Sequence, residues 1–292
     1  MRLAEIERHV ASMEELQRIV GAMRAIASMR MQEAVRALAT VREYANTLAR
    51  AVHDALAIAS ETHVVGDNDI RRLDATRGPA AGKARRAVVL FASEHGFVGG
   101  FNQRLIETIE SDLTPSDTLM IVGSRGAAFA TERGHSAAWM HPLATRLAGV
   151  AQTVRILEEE LLPRIAHDEI ARAEVIFSRH GGSGALAIER RQLFPLNIAV
   201  ARVKRGRLVP LHDLPVPQLL QKVTAEYMVA QLTEAATEAL AAENAARFAA
   251  MESARDNVGR KLQSLRLDAS RARQEEVTTE LLDLITGEQA LR

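Results

Sequence analysis

The sequence predicts an α/β protein: a long antiparallel coiled coil of N- and C-terminal helices plus a small Rossmann-like α/β domain. Three observations predict it. Residues 2–59 hold no proline and a single glycine, Gly21, and residues 218–286 likewise hold no proline and only Gly259. Between these ends, short apolar runs alternate with amphipathic stretches and glycine-rich turns. Hydrophobic residues make up 47% of the chain but aromatics only 3%, an alanine-rich balance that favours long helices over a large globular core.

The N-terminal stretch repeats apolar residues at Leu3, Ile6, Val10, Met13, Leu16, Val20, Met23 and Ala27, in steps of three and four. Such steps keep one narrow stripe on one side of a helix. The stripe continues through Ala34, Leu38, Val41, Ala45, Leu48, Val52 and Leu56. A helix of this length extends roughly 85 Å at 1.5 Å per residue. It needs a partner helix to bury its stripe. The partner lies at the other end. Its stripe runs Leu220, Val223, Tyr227, Ala230, through an alanine-rich middle over 235–254, to Val258, Leu262, Leu265, Ala269, Ala272, Leu281 and Ile285. Pro215 and Pro217 mark its start and Gly287 its stop.

The middle has the texture of an α/β domain. Residues 60–86, with Gly66, Gly78, Pro79 and Gly82, read as a linker. The apolar runs 87–92 and 119–123 read as buried strands, and 175–177 and 185–193 as two more. Helices are expected over 100–112, 124–133 and 149–168. The expected division is therefore a helix over 1–59, a linker over 60–86, an α/β domain over 87–200, a loop over 201–216 and a helix over 217–292.

Charge narrows the function classes. There are 37 basic and 37 acidic residues, so bulk charge gives no basis for binding nucleic acid or an anionic membrane. Arg18, Arg24, Arg30, Arg36 and Arg42 recur every sixth residue, which spreads them around a helix. A local belt of Arg260, Lys261, Arg266, Arg271 and Arg273 is opposed in sequence only by Asp268 and suits an acidic partner surface. Arg202, Lys204, Arg205 and Arg207 read as solvated loop charges, and Glu158, Glu159 and Glu160 as a solvated helix face.

The chain has no cysteine, which excludes disulfides, thiolate metal sites and cysteine nucleophiles. No apolar stretch approaches the roughly 18 residues that cross a bilayer. The opening MRLAEIERHV lacks the apolar core of a signal peptide, so a cytoplasmic-type protein is expected. His95, His135, His141 and His180 show no metal-ligand spacing. The turn at Gly96, Gly99, Gly100 and Asn102 links the first strand to a helix, but it matches neither GxGxxG nor GxxxxGK[ST] and no lysine follows it. It reads as a structural turn that packs helix on strand. No catalytic, cofactor-binding or metal residues are expected.

Specific segments resemble the gamma subunit of F-type rotary ATP synthases. Residues 16–27, LQRIVGAMRAIA, resemble the family's TQKITKAMxMVA, matching at Gln17, Ile19, Ala22, Met23 and Ala27. Residues 93–102, SEHGFVGGFN, resemble SDRGLCGGLN, matching at Gly96, Gly99, Gly100 and Asn102. Residues 243–251, ENAARFAAM, resemble SENAARMxAM, and 272–281 resemble KARQxxITxEL. The ending over 280–291 is similar to the variant gamma subunits of alternate, sodium-type F-ATPases. After the first motif, residues 28–34 are less basic than the family pattern.

The resemblance implies a non-catalytic central-stalk rotor. Its paired helices would turn inside a ring of alpha and beta subunits, and its α/β domain would rest on the membrane c-ring and the epsilon subunit. Ion-driven rotation of the c-ring would then be coupled to ATP synthesis or hydrolysis on the beta subunits. It further implies contacts with the alpha/beta ring through Met23, Arg24, Arg247, Arg273, Gln274, Thr278, Glu280, Leu282 and Ile285. The location implied is peripheral, at the cytoplasmic face of a bacterial-type plasma membrane. Residue pattern alone leaves two alternatives: a coiled-coil scaffold with an α/β docking domain and no ATPase, and an enzyme binding nucleotide at Gly96 to Asn102.

Overall fold

The computed structural model describes residues 3–62, 85–181, 186–196 and 211–289. Two helices, α1 (Leu3–Thr62) and α5 (Val216–Gln289), frame the chain. Between them lie β1 (Arg85–Phe91), α2 (Phe101–Glu110), β2 (Thr118–Val122), α3 (Ser124–Glu132), β3 (Trp139–His141), α4 (Val150–Ala166), β4 (Ile170–His180) and β5 (Leu186–Phe194). The chain divides into two compact units: Ser28–Arg247, and residues up to Ala27 together with those from Phe248.

In the larger unit, five strands form one sheet in the order β3-β2-β1-β4-β5. The first four are parallel and β5 runs antiparallel to β4. Register fixes which residues share a face, because side chains alternate with period two. Val89 stands beside Met120 and Val175, and all three join one core with Val154, Leu157 and Leu161 of α4 and Leu232, Ala235, Ala236 and Ala239 of α5. The next residue, Leu90, stands beside Ile121 and Ile176, and these face Leu105, Ile106 and Ile109 of α2 and Ala127 and Ala130 of α3. Both faces of β1 are thus covered, which is why its apolar run is continuous instead of alternating.

In this unit α1 and α5 run antiparallel. Arg42 pairs with Glu238, while Tyr44, further along α1, bonds Glu226, further back in α5. Leu38, Ala45 and Val52 are buried at seven-residue spacing, the period of a left-handed helix pair. Ala55, Ile58 and Ala59 close the seam against Val216 and Leu220.

The smaller unit is also an antiparallel helix pair. Ile6, Val20 and Ala27 of α1 are buried, as are Met251, Val258, Leu262 and Leu265 of α5. Glu7 receives a hydrogen bond from Arg273 (2.6 Å), Glu14 one from Arg266 (2.6 Å), and Glu252 one from Arg24 (2.7 Å). Among the described residues, no helix is long and apolar enough to cross a membrane.

Several boundaries differ from the sequence reading. The strand β3 has no counterpart in it. The strand expected at 175–177 extends over Ile170–His180, and α5 runs through Gly287 to Gln289. The expected linker lies mostly outside the described residues, as do Gly182, Ser183 and Gly184, and Arg202, Lys204, Arg205 and Arg207.

Candidate partner surfaces and the clasp between helix and sheet

The glycine-rich turn follows β1 and is held from three directions. Ser93, fully buried, donates its backbone N–H to Asn102 Oδ1 (3.1 Å), and Asn102 Nδ2 donates back to Ser93 Oγ (2.8 Å). This reciprocal pair ties the strand end to the first turn of α2. Gly99 takes φ +56°, a left-handed conformation that glycine adopts without steric cost. Phe97 takes φ +61° and is 67% exposed, so the turn presents an aromatic side chain to solvent.

Glu94 reaches across to α3. Its carboxylate accepts from Ser124 N (2.9 Å), Ser124 Oγ (2.8 Å) and Leu143 N (2.8 Å). A negative charge here meets orphan amides and the positive end of the helix dipole. The N-terminus of α3, which would otherwise offer its amides to an anion, therefore carries the chain's own carboxylate. Close approach of α3 to β1 depends on Gly126, where an added Cβ would lie 2.0 Å from the Ala92 Cβ.

From the other side, α5 clasps the turn. Glu243, buried, accepts from the N–H of Glu94 (3.2 Å) and of His95 (3.3 Å). Arg247 donates to the carbonyls of Gly96 (3.3 Å) and His95 (3.4 Å), to Asn244 Oδ1 (3.2 Å) and to Glu243 (2.5 Å). Only 8% of Arg247 is exposed, and its donors are engaged within the chain. Thus two segments recognised separately in sequence meet as one structure, residues 93–102 with Glu243 and Arg247. Neither Glu94 nor Glu243 stands out in sequence as a site residue; the acid at the head of ENAAR is the available signal.

Earlier in the same helix, Glu234 accepts from Arg191 of β5 (2.8 Å), and Glu238 lies 3.5 Å from Arg179 of β4. Arg42 of α1 reaches both carboxylates. A second network lies beside the start of β1. Arg86 bonds Asp117 (2.7 Å) and lies 3.3 Å from the buried Glu174, and Arg190 pairs with Asp112. Hydrogen bonding from Arg190, supported by Arg86, holds the Asp112 carboxyl below its ordinary range. Glu158 is the reverse case. Burial first, then the charges of Glu226 and Glu159, push its carboxyl up. Glu159 and Glu160 pair with Arg155 and Arg164.

The smaller unit carries the other expected contact residues. Met23 is half-buried. Arg24 bonds Glu252 and lies 5.7 Å over the Phe248 ring. Arg273, Gln274, Thr278, Glu280 and Leu282 are exposed, with the Thr278 hydroxyl donating to Gln274 O (2.7 Å). The Ile285 side chain lies outside the described residues. Beside Met23, Leu16, Ile19 and Ile26 stand exposed on one side of α1, and Val277 and Leu281 are exposed on α5. The basic belt is opposed by more than Asp268, because α1 brings Glu14 to Arg266 and Glu7 to Arg273. Among the described residues no group of three or more histidine or acidic side chains is placed to hold a metal.

Paired terminal helices with exposed apolar and charged faces, and an α/β domain clasped by the second of them, define a stalk-type subunit that works through contacts. The family model described as ATP synthase matches residues 2–291. The ATP synthase gamma chain of Frankia casuarinae is 26% identical, over 99% of this chain and 98% of that one. The gamma chain of Geotalea uraniireducens is 24% identical over 99% of each. Among solved structures, the Euglena gracilis mitochondrial ATP synthase (OSCP/F1/c-ring) contains a chain with TM-score 0.63 at 15% identity, covering 99% of this chain and 94% of that one. A Tetrahymena thermophila mitochondrial ATP synthase central stalk/c-ring structure gives 0.55 at 15% identity, covering 81% and 99%. The chain belongs to the ATP synthase gamma family.

Proposed function

We propose that this chain is the central rotor of an F-type ATP synthase. It turns with the membrane c-ring and sets the state of each beta subunit through differential contact. Its partners are the alpha and beta subunits, the epsilon subunit and the c-ring. The chain itself performs no chemistry, and nucleotide turnover belongs to the beta subunits. It lies peripheral to the membrane, at the cytoplasmic face in a bacterial cell.

The observation that carries the reading is the exposed apolar stripe of the smaller unit. Leu16, Ile19 and Ile26 are 39%, 51% and 46% exposed on a helix whose adjoining face, with Val20 and Ala27, is already buried against its partner. A stripe that wide, left in water, is the mark of a protein contact. Apolar contacts are non-directional, so a shaft can turn past them without breaking fixed bonds. Met23, Arg24, Arg273, Gln274, Thr278, Glu280, Leu282 and Ile285 are the residues proposed to meet the ring. Arg247 acts from inside, holding the turn at Gly96. A rotor biases each beta subunit only as far as its contacts differ between their states.

Coexpression with the neighbouring alpha and beta subunits tests this. Purification through a tag on beta is expected to bring down one copy of this chain per three beta subunits, with ATP hydrolysis dependent on it. A chain that forms a stable species alone and never joins the ring would instead be a scaffold.

A further inference from the structure

If the domain around the sheet turns the helix pair, force must cross between them. Much of the surface where they meet is alanine, set between Met228, Leu232 and Leu240. Ala235, Ala236, Ala239, Ala241 and Ala242 of α5 are fully buried, and small side chains offer little interdigitation against sliding. Apolar burial holds the layers together but has no preferred direction.

Besides the clasp of Glu243 and Arg247 on the turn after β1, directional bonds to the strands themselves gather on one turn of α5. Glu234 and Glu238 are four residues apart and share a helix face. The Arg191 guanidinium donates to Glu234 at 2.8 and 3.4 Å, is braced by Glu189 (2.6 Å), and lies 5.2 Å over the Phe177 ring. Arg179 approaches Glu238 at 3.5 Å and Glu189 at 3.6 Å. Arg42 of α1 reaches Glu234 at 3.4 Å and pairs with Glu238. Two strands and the other helix are therefore pinned to the same turn. The Glu238 side chain is 1% exposed, and its Oε2 has no hydrogen-bond partner among the described residues. Burying a carboxylate is costly, and an apolar residue would hold the layers at least as well. A charge kept there despite that cost is explained by direction.

We infer that Glu234 and Glu238, with Arg42, Arg179 and Arg191, form the torsional joint through which turning force passes between the sheet and the helix pair. The inference rests on the rotor reading above. These are positioning residues that resist shear; they touch no nucleotide. The joint matters only under load, when an opposing ion gradient twists one layer against the other.

The test uses the whole ATP synthase in sealed vesicles. The double variant Glu234→Gln, Glu238→Gln keeps shape and removes charge. ATP hydrolysis by the detergent-solubilised complex is expected to stay unchanged, while the ion gradient sustained at saturating ATP falls severalfold. An unchanged gradient overturns the joint. So does an equal fall in both readouts, which marks a merely structural role. A second variant, Arg191→Cys with Glu234→Cys, places a unique thiol pair in a chain with no native cysteine. In a complex otherwise free of reactive thiols, bridging that pair with a bis-maleimide is expected to restore the gradient, and failure to restore it overturns the joint. Loss of rotor behaviour would show differently: the unmodified chain would then support no gradient at all.

Discussion

Glu94 and Ser124 sit thirty residues apart, and the carboxylate of the first accepts both the backbone N–H (2.9 Å) and the hydroxyl (2.8 Å) of the second. The contact joins the end of β1 to the start of α3 and occupies the place an outside anion would take there. Glu94→Ala is expected to lower stability by about 1–2 kcal/mol, the usual cost of losing a charged helix cap. Urea unfolding of the purified chain measures it. Glu94→Gln retains acceptor capacity and is expected to lose less.

The buried Ser93–Asn102 pair is a second bolt. Asn102→Leu would leave the Ser93 amide and hydroxyl without their partner, at a cost of about 1–3 kcal/mol for buried polar groups. The same unfolding measurement checks it. A variant as stable as the original would mean that water replaces the side chain.

Glycine substitutions should divide sharply by location. At Gly126 an added Cβ would stand 2.0 Å from Ala92 Cβ, and at Gly123, with φ +125°, 2.4 Å from Ala92 O. Alanine at either is expected to destabilise by more than about 2 kcal/mol through forced backbone movement. Gly21 and Gly259 lie inside α1 and α5, and a methyl group added at either would meet nothing within 4 Å. Alanine there is expected to stabilise by about 0.5–1 kcal/mol. Thermal unfolding of the four single variants checks the order.

Stability should respond to acid through two groups of opposite sign. The Asp112 carboxyl is lowered, first by Arg190. Its contribution is therefore present above the ordinary aspartate pKa, about 3.9, and is lost as pH falls below that. Glu158 is raised, first by burial. Its contribution is present below the ordinary glutamate pKa, about 4.3, and is lost as pH rises through its higher folded value. Glu158→Gln is thus expected to be more stable than the original chain at neutral pH, with the advantage vanishing in acid. Asp112→Asn is expected to flatten the acid limb. Unfolding free energies measured across the acid range up to neutral pH check both signs.

The long helices were legible because a three-and-four apolar rhythm survives over dozens of residues, and Leu38, Ala45 and Val52 are indeed seam residues. The central strands were legible as apolar runs because helices cover both faces. What escaped was set by partners distant in sequence. The first half of β4 carries Arg172 and Glu174, which do not read as buried strand; Arg86 and Arg190 beside Glu174 are what permit it. The strand β3 has only three residues at a sheet edge, too few to show a period. The clasp of Glu243 on the amides of Glu94 and His95 joins residues 149 and 148 positions apart, a convergence that local pattern does not contain. Resemblance marked both segments, yet the reason they belong together appeared only in three dimensions.

Rotation is the property on which the proposed function stands, and a chain without native cysteine makes it directly observable. A single cysteine at the exposed Ser111, just beyond α2, would carry a bead or fluorophore, with the alpha/beta ring fixed to a surface through beta. On addition of ATP the probe is expected to turn in one direction, in steps related by the threefold symmetry of the ring. A labelled chain that stays bound to a hydrolysing ring while its probe does not turn would contradict the rotor assignment.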